Sequence, residues 1–450
     1  MRPGAVINEN ERTNEGARLR EKFRRDGEKR MYEQRRGKAD EIMTKQLTLN
    51  EKAIEDWTFR KANTHEHIHG IHPYPARMIP QIARKLIKIY SKPDDIVLDP
   101  FCGSGSVLAE ANILGRRAIG IDINPLAVLI AKVKVTPINP SKLEHCLSWI
   151  NKKLKEPISP KIPKFFNLKY WFKEKTIEEL SILREILSQI EDRNIRDFFY
   201  VCFSKTVIDV SLCRNKEYKL YRMPEEEIEK FNPETFKEFE ENAKKAIKGM
   251  KEHCGRTSLV MLGDSRYLPL KDKSIDIIVT SPPYGDSKTT VAYGQFSRYP
   301  ALWIGFDEKF VRSIDKISLG GGKRTKLSFH SETLDAVLAE IEKRNERRAK
   351  DVESYFADLG KCIMEFSRVL KPNGHACIVI GNRTVSRVKI PTDRIIVEIG
   401  KEFNLEHVKT FYREIPTKKI PWANAPENIA GLKCETIRNE SIIILRLIKD

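Results

Sequence analysis

The sequence predicts an α/β fold, doubly wound around a mostly parallel sheet, and three features of the chain lead to this prediction. An apolar stretch at Asp95–Asp99 is typical of a short buried strand, and a glycine-rich turn follows it at Gly103 and Gly105. A helical pattern at 106–114 then leads to a second strand at Ala118–Ile121. Such a β-α-β unit is the building block of parallel sheets.

The remaining strands and the division into domains follow from the same kind of pattern. Apolar stretches predict further strands at Ser258–Leu262, Ile275–Thr280, Ala376–Ile380, His407–Tyr412 and Ser441–Leu447. The α/β domain is expected to comprise residues 51–135 and 255–450. Residues 136–254 have helical periodicity and predict a largely helical insertion. Residues 1–50 are basic and polar, so they predict an arm that is either a solvated helix or disordered.

The composition indicates a polyanionic partner. The 450 residues carry a formal net charge of +18, and 32% of them are charged. A protein this basic attracts nucleic acid, which is the commonest polyanion. The alternative is a lysine-rich protein whose ionic surface serves stability at high temperature. Because 40% of the residues are hydrophobic, the chain can bury a substantial core.

The cysteines, the apolar runs and the histidines indicate the cellular compartment and whether a membrane or a metal ion is involved. The eight cysteines are scattered without metal-ligand spacing, which predicts reduced thiols in a cytoplasmic protein. No apolar run is long enough to cross a bilayer and no targeting segment is evident, so no membrane partner is expected. His65, His67 and His69 alternate along the chain, but this spacing alone does not make a metal site, and none is expected.

The turn at Gly103 and Gly105 predicts a ligand site at the end of the first strand. Glycines let the backbone turn tightly and approach a ligand closely, and the following helix offers unpaired N–H groups. Asp122 ends the next strand, where a carboxylate can accept hydrogen bonds from ribose hydroxyls. The turn lacks the Gly-Lys-Ser/Thr of a Walker loop and the third glycine of a dinucleotide-binding loop, which disfavours nicotinamide cofactors.

The most specific pattern is the tetrapeptide Ser281-Pro282-Pro283-Tyr284, which directly follows the predicted strand at 275–280. An amino nitrogen on a base ring is a poor nucleophile because its lone pair is delocalised into the ring. The Ser281 oxygen and a carbonyl beside the rigid prolines can accept hydrogen bonds from its two N–H groups and align it. Tyr284 can stack on a base that has left the double helix. The pattern therefore predicts chemistry at an exocyclic amino group, driven mainly by alignment.

Asp99-Pro100-Phe101-Cys102-Gly103-Ser104-Gly105 and this tetrapeptide together resemble the S-adenosylmethionine-dependent amino methyltransferases. The resemblance covers mainly residues 57–132, 258–300 and 365–450. It implies a Rossmann-like fold with a seven-stranded sheet, S-adenosylmethionine as the cofactor, and the tetrapeptide Ser281, Pro282, Pro283 and Tyr284 as the catalytic residues. The cofactor-binding residues that it implies are Tyr74, Asp99, Phe101, Gly103, Gly105, Asp122 for the ribose and Asp264 for the adenine.

The serine at the first position of the tetrapeptide is similar to that of cytosine-N4 methyltransferases from type II restriction-modification systems. The resemblance implies methylation of cytosine N4 at specific sites in double-stranded DNA, with the target base flipped out and a cognate restriction endonuclease as partner. The alternatives are adenine-N6 specificity, methylation of a base amino group in rRNA or tRNA, and a nucleic-acid binder without catalysis. A Cys nucleophile of the C5-cytosine type is not expected, since the chain contains no Pro-Cys pair.

Two regions are candidates for reading the DNA sequence, namely the helical insertion at 136–254 and the segment that follows the tetrapeptide. The second region includes another glycine-rich stretch at 320–324. The residues expected to contact phosphates are Lys288, Arg298, Lys323 and Arg324. For each of them, an ordinary solvated charge is the alternative interpretation.

Overall fold

The computed structural model describes residues 57–214, 219–250, 258–286, 291–322, 327–415, 423–424, 434–435 and 437–448. The predicted arm at 1–50 lies outside the described residues. All described helices and strands belong to the unit of residues 58–450. None of the described helices is both long and apolar enough to cross a membrane.

A seven-stranded, mostly parallel sheet carries the fold, as predicted. The strands of the chain are β1 (Ile96–Asp99), β2 (Arg117–Asp122), β3 (Ser258–Leu262), β4 (Ile275–Thr280), β5 (Leu370–Gly381), β6 (Arg383–Val385), β7 (Val388–Ile390), β8 (Leu405–Glu414), β9 (Ala423–Asn424), β10 (Cys434–Glu435) and β11 (Asn439–Leu447). The order across the large sheet is β3-β2-β1-β4-β5-β11-β8. Strand β11 is antiparallel to both of its neighbours, whereas the other pairs of this sheet are parallel. Strands β6 and β7 form a separate antiparallel ribbon, as do β9 and β10.

The helices begin where the sequence supplies suitable caps. Proline occupies the first position of three of them, where its missing N–H group would have no partner in any case. The Asn124 side chain accepts a hydrogen bond from the Leu126 N–H and caps the third helix. The helices are α1 (Pro80–Tyr90), α2 (Ser106–Ile113), α3 (Pro125–Val135), α4 (Pro140–Lys153), α5 (Leu168–Trp171), α6 (Glu174–Ser188), α7 (Arg193–Asp209), α8 (Glu225–Lys230), α9 (Thr235–Gly249), α10 (Tyr293–Ile304), α11 (Glu308–Ile317), α12 (Glu332–Glu342), α13 (Glu346–Val369) and α14 (Thr392–Glu402).

The buried apolar side chains form two cores. One core joins the sheet, through residues such as Ile278, to α12, α13 and α14. The other core is built from helices and includes Ile130 of α3, Phe203 of α7 and Trp303 of α10. The helices of the predicted insertion thus pack onto α3 and α10, and these two helices lead directly into the site described next.

Lys371-Pro372-Asn373-Gly374 has the composition of a turn that would precede the predicted strand at 376–380, but it lies inside β5. Ile275 pairs with Leu370 and Ile277 pairs with His375, so the intervening residues of β5 bulge out of the sheet. Asn373 has φ of +65°, a left-handed conformation that asparagine tolerates better than most residues. These residues therefore do turn out of the sheet, but β5 pairs with β4 both before and after them.

Candidate active site

A cleft opens at the carboxyl ends of β1, β2 and β4, the edge at which parallel α/β sheets bind ligands. Its volume is about 900 Å³ including the open mouth. Among the residues that line it are eight predicted site residues: Tyr74, Asp99, Phe101, Gly103, Asp122, Asp264, Ser281 and Pro283. The glycine-rich turn and the tetrapeptide therefore form walls of one cavity. Gly105, Pro282 and Tyr284 adjoin these residues without lining the cavity.

The glycine-rich turn has a backbone shape that glycine adopts readily. The φ angles are +48° at Gly103 and +78° at Gly105. A Cβ atom on Gly105 would lie 2.9 Å from both the Cα and the Cβ of Ala131, so this glycine lets the turn pack against α3. Asp122 holds the turn from the end of β2, because its carboxylate accepts hydrogen bonds from the Gly103 N–H at 2.9 Å and the Asn124 N–H at 2.8 Å.

Two buried carboxyl groups stand at the ends of β1 and β2. Burial raises the pKa of Asp99 to about 7 and the pKa of Asp122 to about 6. Asp99 accepts hydrogen bonds from the Thr280 hydroxyl at 2.6 Å and from the Phe101 N–H at 3.1 Å. The glycine-rich turn is thereby tied to the end of β4, directly before the tetrapeptide.

Asp264 lies after β3, and its carboxylate is held by an arginine. The Nη2 atom of Arg266 donates to Oδ2 of Asp264 at 2.6 Å, and Nε donates to Oδ1 at 2.9 Å. Arg266 also forms an ion pair with Asp358 at 2.9 Å. The side chain of Asp264 is partly exposed at the cleft, and its Oδ1 also accepts the Arg266 backbone N–H at 3.0 Å.

The tetrapeptide is held by hydrogen bonds from two distant parts of the chain. The carbonyl of Pro283 accepts a hydrogen bond from the Tyr355 hydroxyl of α13 at 2.6 Å. The Tyr284 hydroxyl donates to Oε1 of Glu440 in β11 at 2.8 Å, and the Ser281 hydroxyl donates weakly to the Tyr284 oxygen at 3.5 Å. Burial raises the pKa of Tyr284 well above its ordinary value, so this hydroxyl remains a donor.

A buried ion-pair cluster supports the chain just after the tetrapeptide. Asp286 accepts hydrogen bonds from both terminal nitrogens of Arg383, at 3.2 and 3.1 Å, and lies 3.5 Å from Arg348. A Cβ atom on Gly285 would overlap the guanidinium group of Arg383. Sequence reasoning missed this cluster, since only the Gly-Asp pair directly after the tetrapeptide pointed to it.

Sequence reasoning also missed a buried polar junction beside the cleft. The Asn124 amide donates hydrogen bonds to the Tyr74 hydroxyl at 3.1 Å and to the Ser297 hydroxyl of α10 at 2.6 Å. The Tyr74 ring stacks on Tyr293, with ring centres 6.1 Å apart. The signal available in the sequence was Asn-Pro at a helix start two residues after the strand-ending acid.

Of the four residues predicted to contact phosphates, the structure describes only Arg298. It lies half-buried on α10, 4.0 Å from Asp315. Lys288, Lys323 and Arg324 lie outside the described residues. Within the described ranges, no group of three or more His, Cys, Asp or Glu side chains is placed to hold a metal ion.

Comparison with known proteins places the sequence in a family. It matches the family described as DNA methylase over residues 7–133 and 275–430. It is 38% identical to Type II methyltransferase M.MvaI of Kocuria varians over 422 residues, which cover 86% of this chain and 93% of that protein. It is 24% identical to Type II methyltransferase M.BsoBI of Geobacillus stearothermophilus, over 82% of this chain and 84% of that protein.

A shorter similarity links the chain to an RNA-modifying enzyme. The tRNA (guanine(10)-N2)-dimethyltransferase of Methanothermobacter thermautotrophicus is 36% identical over 84 residues, which cover 18% of this chain and 23% of that protein. The DNA methylase match, in contrast, spans more than half of the chain, and the similarity to M.MvaI spans most of it. The chain therefore belongs to the DNA methylase family, and it is an S-adenosylmethionine-dependent methyltransferase of the type II restriction-modification kind.

Proposed function

We propose that this protein transfers a methyl group from S-adenosylmethionine to the N4 amino group of cytosine at specific sites in double-stranded DNA. The observation that carries the proposal is the shared cleft, in which Ser281 and Pro283 stand opposite a turn built from Asp99, Gly103 and Asp122. Residues that can bind an amino group thus line the same cavity as residues that can bind a methyl donor that carries a nucleoside. The target cytosine would enter this cleft after leaving the double helix.

The donor side of the cleft fits S-adenosylmethionine, which supplies an electrophilic methyl group on a positively charged sulfur. Asp122 would accept hydrogen bonds from the ribose hydroxyls, since each oxygen of its carboxylate already accepts one backbone N–H and retains acceptor capacity. Asp99 adds a second buried carboxyl group, which favours a cationic ligand. Phe101 and Tyr74 would pack on the methionine part, and Asp264 would meet the adenine.

The acceptor side of the cleft would position the cytosine amino group. Because the Pro283 carbonyl already accepts from Tyr355, we assign the base-facing carbonyl to Pro282, beside the Ser281 oxygen. The Ser281 hydroxyl is only weakly engaged by Tyr284, so its lone pairs can accept one amino hydrogen. The nitrogen then forms its bond to the methyl carbon as the sulfur–carbon bond breaks, and the surplus proton leaves to solvent. Tyr284 adjoins the cleft rather than lining it, and it would stack on the base after the base has entered.

Three observations support cytosine N4 in DNA over the alternatives. A serine, rather than an aspartate or asparagine, begins the tetrapeptide. The two type II relatives cover more than four fifths of the chain, whereas the tRNA-modifying relative covers less than one fifth. The net charge of +18 suits a long polyanion. A restriction endonuclease of the same sequence specificity would be the partner in the cell.

Nucleoside analysis tests the proposal. The protein is incubated with isotope-labelled S-adenosylmethionine and either unmethylated bacterial DNA or bacterial RNA, and each nucleic acid is digested to nucleosides for mass spectrometry. N4-methyldeoxycytidine is the expected product. N6-methyldeoxyadenosine as the sole product, or label in RNA with none in DNA, would overturn the assignment.

Substitution of two serines, one in the tetrapeptide and one on α6, tests the catalytic role of Ser281. Ser281→Ala is expected to lower the turnover rate by about 10²–10³-fold, the usual effect of removing one aligned hydrogen-bonding group. Its dissociation constant for S-adenosylmethionine should stay within about twofold, because Ser281 lies on the acceptor side. Ser188→Ala, on the exposed end of α6, should change neither quantity.

Base flipping is tested with mismatched DNA. A duplex with a mismatch opposite the target cytosine costs less to open, so it is expected to bind on the order of tenfold more tightly than the matched duplex. Equal affinities for the two duplexes would contradict entry of the base into the cleft.

A further inference from the structure

An exposed segment of the helical insertion is rich in lysine and aromatic residues. Residues 157–173 contain four lysines and no acidic residue. Seven of the ten side chains at 161–170 are exposed, including Phe166 at 58% and Tyr170 at 49%. Lys161 and Lys164 form no ion pair with any residue in the described part of the chain. Large exposed rings among cations are typical of surfaces that bind a partner.

Arginines from other parts of the chain complete this surface. The guanidinium group of Arg222 lies 4.6 Å from the centre of the Tyr170 ring, and its Nε donates to the Tyr170 carbonyl at 3.0 Å. The guanidinium group of Arg312 lies 4.7 Å from the centre of the Phe166 ring. We call Lys161, Lys164, Phe166, Tyr170, Arg222 and Arg312 the aromatic–basic face.

A second cleft of about 710 Å³, including its open mouth, adjoins this face. Phe166, Arg312 and Arg298 line it. The Nε atom of Arg298 is buried and has no hydrogen-bond partner among the described residues. Glu308, which contacts both Arg312 and the Phe166 N–H, is the acidic residue of this cleft. Cations thus outnumber acids here, and the surface suits a polyanion.

Helix α10 connects the aromatic–basic face to the active site. Tyr293, at its first position, lines the catalytic cleft, and Tyr299 lines the second cleft. Six residues of helix span about 9 Å, which corresponds to roughly three base steps of DNA. The Gln295 side chain accepts a hydrogen bond from the Leu220 N–H at 3.3 Å, which fixes the helix to the segment next to Arg222.

We propose that the aromatic–basic face binds the backbone of duplex DNA a few nucleotides from the flipped target base. Lys161 and Lys164 neutralise phosphates, and the Phe166 and Tyr170 rings, each covered by an arginine, pack against the sugars of the backbone. This assignment rests on the proposed function for the position of the target base, but the residues that it assigns to DNA binding are not those of the active site. Because DNA binding can be measured without methyl transfer, its failure is distinguishable from failure of the proposed function.

A pair of lysine substitutions tests the electrostatic part. The double variant Lys161→Gln, Lys164→Gln is expected to weaken duplex DNA binding and to lower the slope of log K against log salt concentration by about 1.8, since each phosphate contact contributes about 0.9. The matched control is Lys88→Gln, Lys401→Gln, two exposed lysines at the amino-terminal edge of the sheet, which should leave the slope unchanged. An unchanged slope in the first variant, or an equal change in both, would overturn the proposal.

Substitution of the rings tests the remaining part. The variant Phe166→Ala, Tyr170→Ala is expected to raise the dissociation constant for duplex DNA by on the order of tenfold or more, with an unchanged salt slope and unchanged affinity for S-adenosylmethionine. The unchanged cofactor affinity shows that the variant is folded. If both variants lose RNA or protein binding while duplex DNA binding persists, the face serves a different partner and the proposal is wrong.

Discussion

Replacing Gly105 by alanine measures how tightly the glycine-rich turn is packed against α3. Gly105 has φ of +78°, and an added Cβ would lie 2.9 Å from the Cα and Cβ of Ala131. Gly115 offers a matched control in the same β-α-β unit. Its φ is +76°, but an added Cβ would meet no heavy atom within 4 Å. The two substitutions share the backbone strain and differ in the steric contact.

The structure sets the size of the two effects. A side chain in the left-handed region costs about 1–2 kcal/mol, which is the expected loss for Gly115→Ala. Gly105→Ala carries this cost and, in addition, about 1–3 kcal/mol for forcing an atom into a packed interface with backbone on the other side. We therefore expect a total loss of about 2–5 kcal/mol for Gly105→Ala.

Urea unfolding of the two variants, together with titration calorimetry of S-adenosylmethionine, checks this reasoning. The Gly105→Ala variant should also bind the cofactor at least about tenfold more weakly, because the turn must move away from α3 and takes Gly103 with it. The Gly115→Ala variant should bind the cofactor normally. Equal losses of stability with normal cofactor binding in both variants would refute the argument.

Three further outcomes are expected. Burial raises the pKa of Asp99 to about 7, so the folded protein favours the protonated form, and the stability that Asp99 contributes falls as the pH rises from about 4 to 7. The melting temperature of Asp99→Asn should therefore rise relative to that of the wild type between pH 4 and pH 8. A difference in melting temperature that does not change with pH would contradict this. Tyr284→Phe removes the hydroxyl that bonds Glu440 and should lower the single-turnover rate about tenfold, whereas Glu440→Gln, which keeps an acceptor, should lower it only about threefold. A full rate for Tyr284→Phe would show that this bond does not position the tetrapeptide. Asp122→Ala leaves two buried N–H donors unpaired and should weaken cofactor binding at least about tenfold by calorimetry; unchanged binding would exclude the proposed ribose contact.

The sequence predicted the elements whose signals are local. β3 and β4 occupy the predicted residues, because an apolar run between polar turns is a local feature. The cleft wall could be predicted because each of its motifs directly follows such a strand. The bulge inside β5 could not, since it depends on how that strand pairs with β4.

Other parts of the site depend on contacts between distant segments. Tyr355 and Glu440 reach the tetrapeptide, and Arg383 reaches Asp286 just after it, from about 70 to 160 positions away in the chain. Each stands in an ordinary helix or strand pattern, and only the tertiary arrangement brings it to the site. The aromatic–basic face has the same origin, because its rings lie in one segment and its two arginines come from two others.

The Asn124 side chain connects the two clefts of the protein through its hydrogen bonds. One amide group joins Tyr74, which lines the first cleft, to Ser297 on α10, and the next residue of this helix, Arg298, lines the second cleft. A displacement of Tyr74 in the first cleft would therefore act on α10 through this amide group as well as through the Tyr293 ring. If binding of the methyl donor changes the affinity for DNA by some factor, binding of DNA must change the affinity for the methyl donor by the same factor.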